Sequence, residues 1–304
     1  MHNKIIVVGS ANMDMVVKAT HIPQPGETVL GGSFLMNPGG KGANQAVAVA
    51  RLGGDVTFIG KIGDDIFGQQ SRQLFQKEGI DTRGLLVDGN TPSGIALITV
   101  DERGENSIVV APGANAFLKP KDVEEVLDHY PDSKILLVQL EIPMQTVEHA
   151  VRLARDRGMQ VILNPAPADR SVSGMFHGID VITPNASEAE MLSGITIVDV
   201  NSARQAAESI YQQGVKHVII TLGKDGAVLL EDGVFHHIPA MGVEVVDTTA
   251  AGDVFNGALA VAVCEGKAWK DAVVFACQAA SIAVTRMGAQ SSIPFRNEVL
   301  LNSI

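Results

Sequence analysis

Residues 135–163, ILLVQLEIPMQTVEHAVRLARDRGMQVIL, decide the fold. Ile135 to Leu140 is a short, largely aliphatic strand. Pro143 to Arg157 carries the apolar spacing of a helix with proline in its first turn, and Gln160 to Leu163 is a second strand. Apolar side chains on successive strand positions suit a parallel sheet covered on both faces. The same alternation holds toward both ends of the chain. Lys4 to Gly9 precedes a helix over Gly42 to Leu52, and Asp55 to Gly60 precedes one over Phe67 to Glu78. Val181 to Thr183, a helix over Asn201 to Gln213 and His217 to Thr221 follow, so the class is α/β.

Two places break this rhythm. Thr28 to Asn37, and the pair Gly94 to Asp101 and Ser107 to Ala111 joined by the turn Glu102-Arg103-Gly104-Glu105, read as antiparallel strands without intervening helices. They predict a small sheet standing off the main one, as a lid or a dimer contact. Val254 to Met287 is helix-compatible throughout and rich in small residues, so it packs tightly against the sheet. With no repeat, low-complexity run or linker, residues 1–304 read as one domain, its lid strands inserted at about 15–37 and 92–112.

Composition narrows the function. Of 304 residues 46% are apolar and 19% charged, enough to bury a core, and the net charge is −11. A uniformly acidic surface repels a phosphate backbone, which excludes nucleic acid as a partner and leaves room for a small anion only in a local pocket of backbone N–H groups. Uncharged stretches such as Ala272 to Thr285 fall short of the roughly 18 apolar residues a bilayer span needs, so no membrane partner is expected. The apolar run after His2-Asn3-Lys4 is too short for a signal-peptide core, which predicts a cytoplasmic chain. Cys264 and Cys277 offer neither a disulfide framework nor a zinc site and read as buried thiols.

The most informative motif is Val246-Asp247-Thr248-Thr249-Ala250-Ala251-Gly252-Asp253-Val254-Phe255-Asn256-Gly257, a polar turn running into an apolar helix. Ala250, Ala251 and Gly252 leave their amides uncovered where a helix N-terminus presents unpaired donors and partial positive charge. Beside such an anion hole, Asp253 can take a proton from an attacking hydroxyl while the amides stabilise a transferring phosphoryl group. The alternative is that Asp253 merely caps its helix.

Other loops sit at strand ends or helix starts. Asn37-Pro38-Gly39-Gly40-Lys41-Gly42-Ala43-Asn44-Gln45-Ala46 opens a helix but is neither a Walker A loop nor a GxGxxG fingerprint. Its Lys41 and Asn44 suit a polyhydroxylated ligand, against a plain tight turn. Asn12 and Asp14, past the first strand, share one side if the chain stays extended, and otherwise form an Asx turn. Glu141 lies at a strand's carboxyl end or simply opens a helix. Asn185 and Glu188 follow Thr183-Pro184 and suit magnesium-bound water or phosphate, against a capping box made by Ser187 and Glu190. Thr221-Leu222-Gly223-Lys224-Asp225-Gly226 is a β-turn whose glycines also admit a base or a phosphate.

Together these residues resemble the phosphofructokinase-B-type carbohydrate kinases, most closely their ribose-phosphorylating branch, over essentially the whole chain. Asn37-Pro-Gly-Gly-Lys-Gly-Ala-Asn-Gln-Ala46 with Arg51-Leu-Gly53 and Gly60-x-x-Gly63-Asp-Asp-x-x-Gly68 is similar to the family's N-terminal signature, and Asp247-Thr-Thr-Ala-Ala-Gly-Asp253-x-Phe-Asn-Gly257 to its C-terminal one. The resemblance implies a doubly wound, mostly parallel α/β sheet flanked by helices, with a small β-sheet lid that makes a homodimer contact. It also implies transfer of the ATP γ-phosphoryl group to the 5-hydroxyl of ribose. By position it makes Asp253 the base and Ala250, Ala251 and Gly252 the anion hole, with Asn12, Met13, Asp14, Gly40, Lys41, Gly42, Ala43, Asn44 and Glu141 holding the sugar.

For the cofactors it assigns Asn185 and Glu188 to magnesium and phosphate, and Thr221, Leu222, Gly223, Lys224, Asp225, Gly226 and Gly252 to ATP. Cys277 stands where the family often places a larger polar side chain against adenine. A potassium ion beside the anion hole is implied at Asp247, Thr249, Ala283, Arg286, Gly288 and Ser292. A kinase for deoxyribose, fructose or a nucleoside, and a silent sugar-binding protein on the same fold, remain the alternatives.

Overall fold

The computed structural model describes residues 4–301; the His2-Asn3 lead-in lies outside them. The chain opens with β1 (Lys4–Val8), β2 (Asn12–Lys18), β3 (Phe34–Gly39), α1 (Lys41–Arg51), β4 (Asp55–Gly63), α2 (Ile66–Lys77) and β5 (Leu85–Asp88). Next come β6 (Gly94–Val100), β7 (Asn106–Ala111), α3 (Pro120–Leu127), β8 (Ile135–Val138), α4 (Met144–Asp156), β9 (Gln160–Leu163) and β10 (Val181–Ile182). The remainder is α5 (Ala186–Ser193), α6 (Val200–Gln212), β11 (His217–Thr221), β12 (Ala227–Glu231), β13 (Val234–Ile238), α7 (Ala251–Cys264), α8 (Trp269–Ala283) and α9 (Arg296–Leu301).

The main sheet has nine strands in the order β13-β12-β11-β10-β9-β8-β1-β4-β5. It is parallel from β11 to β5, and β12 and β13 add antiparallel at one edge. Successive residues of β1 serve opposite faces. Ile5 and Val7 pack into a core with α1, α7 and α8, whereas Ile6 and Val8 join a second core built on α3, α4 and α6. This two-sided burial is why the strands read as continuous apolar runs. From β1 the chain builds outward through β4 to β5 on one side and, from β8, toward β11 on the other. The crevice beyond the carboxyl ends of β1 and β8 is thus the switch point where open α/β sheets bind ligands.

The small sheet has the order β3-β2-β6-β7. It differs from the sequence expectation in one pairing: β2 runs antiparallel to β3 but parallel to β6. Residues 12–18 form a strand the apolar pattern does not announce, and Thr28 to Ser33 stays irregular through Gly31-Gly32. The C-terminal helical stretch is two helices, because the chain turns at Gly266 (φ 80°). Among the described residues no helix is long and apolar enough to cross a membrane.

One close approach fixes how α1 meets the sheet. A Cβ on Gly42 would lie 2.6 Å from the Gly9 carbonyl carbon and 2.7 Å from the Ser10 nitrogen, and the Ala43 amide donates to the Ser10 carbonyl at 2.9 Å. Backbone atoms on both sides cannot yield as a flexible side chain would. Gly42→Ala should therefore cost roughly 2–3 kcal/mol in urea unfolding. Gly174→Ala, at a position open to solvent, should stay within about 0.5 kcal/mol of the parent chain.

Candidate active site

Beyond β1, the segment Gly9-Ser10-Ala11 carries the chain into the lid, and Asn115 clamps this joint. Its Oδ1 accepts the Ala11 amide at 2.9 Å, while its Nδ2 donates to the Ala11 carbonyl at 3.1 Å and to Asn12 Oδ1 at 2.8 Å. The Asn12 amide is thereby oriented, its Nδ2 left to donate elsewhere. Asn12 and Asp14 do alternate along an extended β2, so the Asx-turn alternative is not the one adopted. Asp14 folds its carboxylate over Gly39, where a Cβ would sit 2.0 Å from Oδ2. Glu141, after β8, accepts the Ser10 hydroxyl at 2.5 Å and the Lys41 amide at 3.0 Å through one oxygen, and so ties β8 to the first turn of α1.

Asp253 lies at the start of α7, 6% exposed. Its Oδ2 accepts Asn44 Nδ2 at 2.9 Å and its Oδ1 accepts Gln45 Nε2 at 3.0 Å. Asp253 still lines a cleft of about 200 Å³, together with Lys41, Asn164, Thr183, Asn185, Glu188, Thr221, Thr248, Ala250, Ala251 and Gly252. Burial pushes its carboxyl up, and the Lys41 ammonium with the Asn44 and Gln45 amides pulls it back part of the way. Asp14 is raised to about 7, first by burial, then by the charges of Glu141 and Asp253. Burial would lower Lys41, but Asp253, Glu141 and Glu188 outweigh it and keep the ammonium charged.

The N-terminus of α7 presents donors to this cleft. Ala250 takes the left-handed conformation (φ 60°) and opens the helix without a side-chain cap. Asp253, a residue of the first turn, points its side chain at α1 and so does not cap its own helix. Among the described residues no acceptor reaches the amides of Ala250, Gly252 or Asp253; the Ala251 amide instead donates to the Thr248 carbonyl at 3.2 Å. The sequence expectation of three free amides at 250–252 is corrected there, since the left-handed turn at Ala250 folds Ala251 back. The helix after Pro184 is capped by Asn185 and Glu188, not by Ser187 and Glu190. Asn185 Oδ1 accepts the Glu188 amide at 2.9 Å, and Glu188 Oε2 accepts the Asn185 amide at 2.8 Å. Capping occupies one oxygen of each and leaves Asn185 Nδ2 and the second Glu188 oxygen at the cleft. Burial raises the Glu188 carboxyl more than the Asn185 amide and Lys41 lower it.

The remaining expected residues divide by burial. Met13 is buried, and Gly42 and Ala43 press on the backbone of β1, so they shape the site through packing; Gly40 precedes the helix as its cap. Residues 221–226 form the expected turn: Leu222 donates to Gly226, Gly226 to Gly223, and only Thr221 reaches the cleft. Lys224 and Asp225 are exposed. Cys277 belongs to the apolar core, its thiol pushed up to about 12 by burial. Asp247 ties its own turn to the 284–292 loop, accepting the Thr249 amide and hydroxyl through Oδ1 and the Gly288 amide through Oδ2. Among the described residues no donor reaches the carbonyls of Thr249, Arg286 or Gly288, whereas the Ala283 carbonyl accepts the Arg286 amide and the Ser292 hydroxyl donates to Ala289.

Residues 2–296 match the model of the pfkB family of carbohydrate kinases. The chain is 43% identical to a ribokinase of Haemophilus influenzae over 99% of its own length and 98% of that protein's. It superposes on the ribokinase of Thermotoga maritima with a TM-score of 0.89 at 43% identity, covering 98% of each chain. On an Arabidopsis thaliana ribokinase complexed with ribose and ATP the TM-score is 0.90 at 32% identity, covering 99% and 98%. The chain belongs to the pfkB family of carbohydrate kinases.

In this pfkB kinase the structure adds residues that motif reading passes over. Gln45 sits inside the quoted N-terminal loop, but only the fold shows that it reaches Asp253. Gln139, Asn164 and Asn115 come from distant segments; a polar residue after an apolar strand, as at Gln139 and Asn164, is the one signal available. The burial of Asp14, with Glu141 and Asp253 beside it, has a measurable cost. An acid whose folded value is about 7 and whose ordinary value is 3.8 loses folding stability as pH climbs from about 4 to about 7. Asp14→Asn should thus raise the melting temperature at pH 8 by a few degrees, corresponding to roughly 2–4 kcal/mol. The gain should shrink toward zero by about pH 4, which circular-dichroism melts across that range would show.

Proposed function

We propose that this kinase transfers the γ-phosphoryl group of ATP to the 5-hydroxyl of ribose. The observation that carries the reading is Asp253, a buried carboxylate that opens on the cleft beside the uncapped amides of Gly252 and of Asp253 itself. Asn44 Oδ1 is buried without a hydrogen-bond partner, and Asn12 keeps a free Nδ2, so a polyhydroxylated ligand supplies what both need. Asp14, Gly40, Lys41 and Glu141 complete the sugar's surroundings. With the sugar so held, Asp253 takes the proton of the 5-hydroxyl as the hydroxyl oxygen attacks the γ-phosphorus in line, and the bond from that phosphorus to the bridging oxygen breaks to release ADP. The amides at the start of α7 and the Lys41 ammonium meet the charge on the transferring group. The adenosine lies along Thr221 to Gly226, and Cys277 gives the base a small apolar wall.

Two cations fit the residues present. Among the described residues no three acidic, His or Cys side chains form a metal cage, and Glu188 with Asn185 matches the sparse protein ligation magnesium accepts. When bound there, magnesium would neutralise phosphate charge. The unengaged carbonyls of Thr249, Arg286 and Gly288 around Asp247 suit potassium, with Ala283 and Ser292 alongside. When bound, potassium would hold the loop behind the anion hole in place. An enzyme that consumes ATP works where ATP is kept, which fits the cytoplasm.

Coupled ADP release with ribose, ATP, magnesium and potassium tests the reading. We expect turnover that falls when a large organic cation replaces potassium, and an Asp253→Asn variant that folds but loses about 10³-fold in kcat. Near-normal kcat in that variant would remove Asp253 from the mechanism.

We also propose that the lid makes a homodimer. On β2, Asn12, Asp14 and Val16 share the cleft side, so Met15 and Val17 face away. By register Met36 and Leu97 flank Met15, and Val109 flanks Leu97. Val17, Met36, Leu97 and Val109 are all exposed on that outer face. An apolar patch of this kind is a contact surface, and a second copy of the chain is the occupant proposed. Light scattering after gel filtration should give a dimer for the parent chain and a monomer for Val109→Glu.

A further inference from the structure

We infer that Gln45, held in one amide orientation by Gln139, is a positioning residue that fixes the Asp253 carboxylate as a proton acceptor; the inference rests on the role of Asp253 proposed above. Both glutamines are fully buried, at 0% exposure. Gln45 Nε2 donates to Asp253 Oδ1 at 3.0 Å and to Asn164 Oδ1 at 3.1 Å, which uses both amide hydrogens. Its Oε1 accepts Gln139 Nε2 at 2.6 Å. An amide turned the other way would set its carbonyl against two acceptors, the Asp253 carboxylate and the Asn164 oxygen, and its NH2 against that of Gln139. The order Gln139 to Gln45 to Asp253 therefore runs donor to acceptor in one direction only.

Gln139 is the telling residue. It follows the apolar run of β8, where an aliphatic side chain would pack without loss, yet its own Oε1 is buried with no hydrogen-bond partner. A side chain kept only for packing does not carry such an unpaired acceptor. What it supplies is the hydrogen bond that meets the Gln45 carbonyl while the Gln45 NH2 serves Asp253 and Asn164. With both Asp253 oxygens fixed by Asn44 and Gln45, the carboxylate cannot rotate away from the hydroxyl it must deprotonate.

Every charged group facing Asp253 enters the test: Lys41 on α1 favours its ionised form, whereas Glu141 after β8, Asp14 on β2 and Glu188 on α5 oppose it. Deleting the Gln45 donor leaves that balance tipped toward the protonated acid. Gln45→Leu should lower kcat about 10²-fold at pH 7 and move the acid limb of the kcat profile up by about one pH unit. The KM values for ribose and ATP should stay within about threefold, because no substrate contact is lost. Gln139→Leu, which leaves the buried Gln45 carbonyl without its donor and so loosens the amide, should cost about tenfold in kcat with the same shift. Gln139→Glu should cost more than Gln139→Leu, because a carboxylate at that position draws the Gln45 NH2 to itself and turns its carbonyl toward Asp253.

A folded Gln45→Leu with an unmoved pH profile overturns the inference, as does a rise in KM at constant kcat. If Gln45→Leu does not fold, the two Gln139 variants decide: profiles like the parent's overturn it, and the ordered losses support it. Asp253→Asn with retained turnover would overturn the proposed role of Asp253 instead, and is scored separately.

Discussion

The first turn of α1 rests directly on the backbone at the end of β1, because neither Gly9 nor Gly42 has a side chain to hold the two apart. The polar groups that α1 brings to the cleft are placed by that contact. It sets the Lys41 amide on Glu141 and the Ala43 amide on Ser10. One turn along, it aims Asn44 and Gln45 at the carboxylate of α7. A helix held even one methyl group farther out would deliver these groups too far from Asp253 for a hydrogen bond.

Burying Asp253 near Glu141, Asp14 and Glu188 is costly, since desolvation and like charge both favour the protonated acid. The chain offsets this with one ammonium and a set of neutral donors. Among the described residues Lys41 is the only basic side chain lining the cleft, and it is a compact point charge that stays ionised among the acids. Neutral amides do the rest, so Asp253 is held on two sides without a salt bridge that would consume its basicity.

The α/β class and most main-sheet strands were legible because strands buried on both faces write themselves as apolar runs. The two glycine-rich loops were legible because close approach and uncovered amides demand small residues. β2 was not, since its first two residues are buried and its later ones lie in a lid open on both sides, so no alternating burial pattern remains to be read. Capping by Asn185 and Glu188 was displaced by two residues in the sequence reading because Ser187 with Glu190 offers the same chemistry at the same spacing. Gln139 and Asn164 escaped because their partners lie 94 and 119 positions away on Gln45, a separation that no local motif encodes. Asn115 joins them for the same reason, across 103 positions to Asn12.

A chain of net charge −11 is a poor prospect for binding a polyphosphate if charge is summed over the whole surface. The cleft reverses that sum locally. Glu188 and Glu141 each have an oxygen taken up by a backbone amide, which draws their charge inward. The uncapped start of α7 turns its unpaired N–H groups outward toward the same space. Peptide dipoles thus add to the Lys41 ammonium in supplying positive potential. They carry no counter-ions to displace and no flexible stems to order. Gly252, with open space where a Cβ would sit, leaves its own amide and that of Asp253 uncovered.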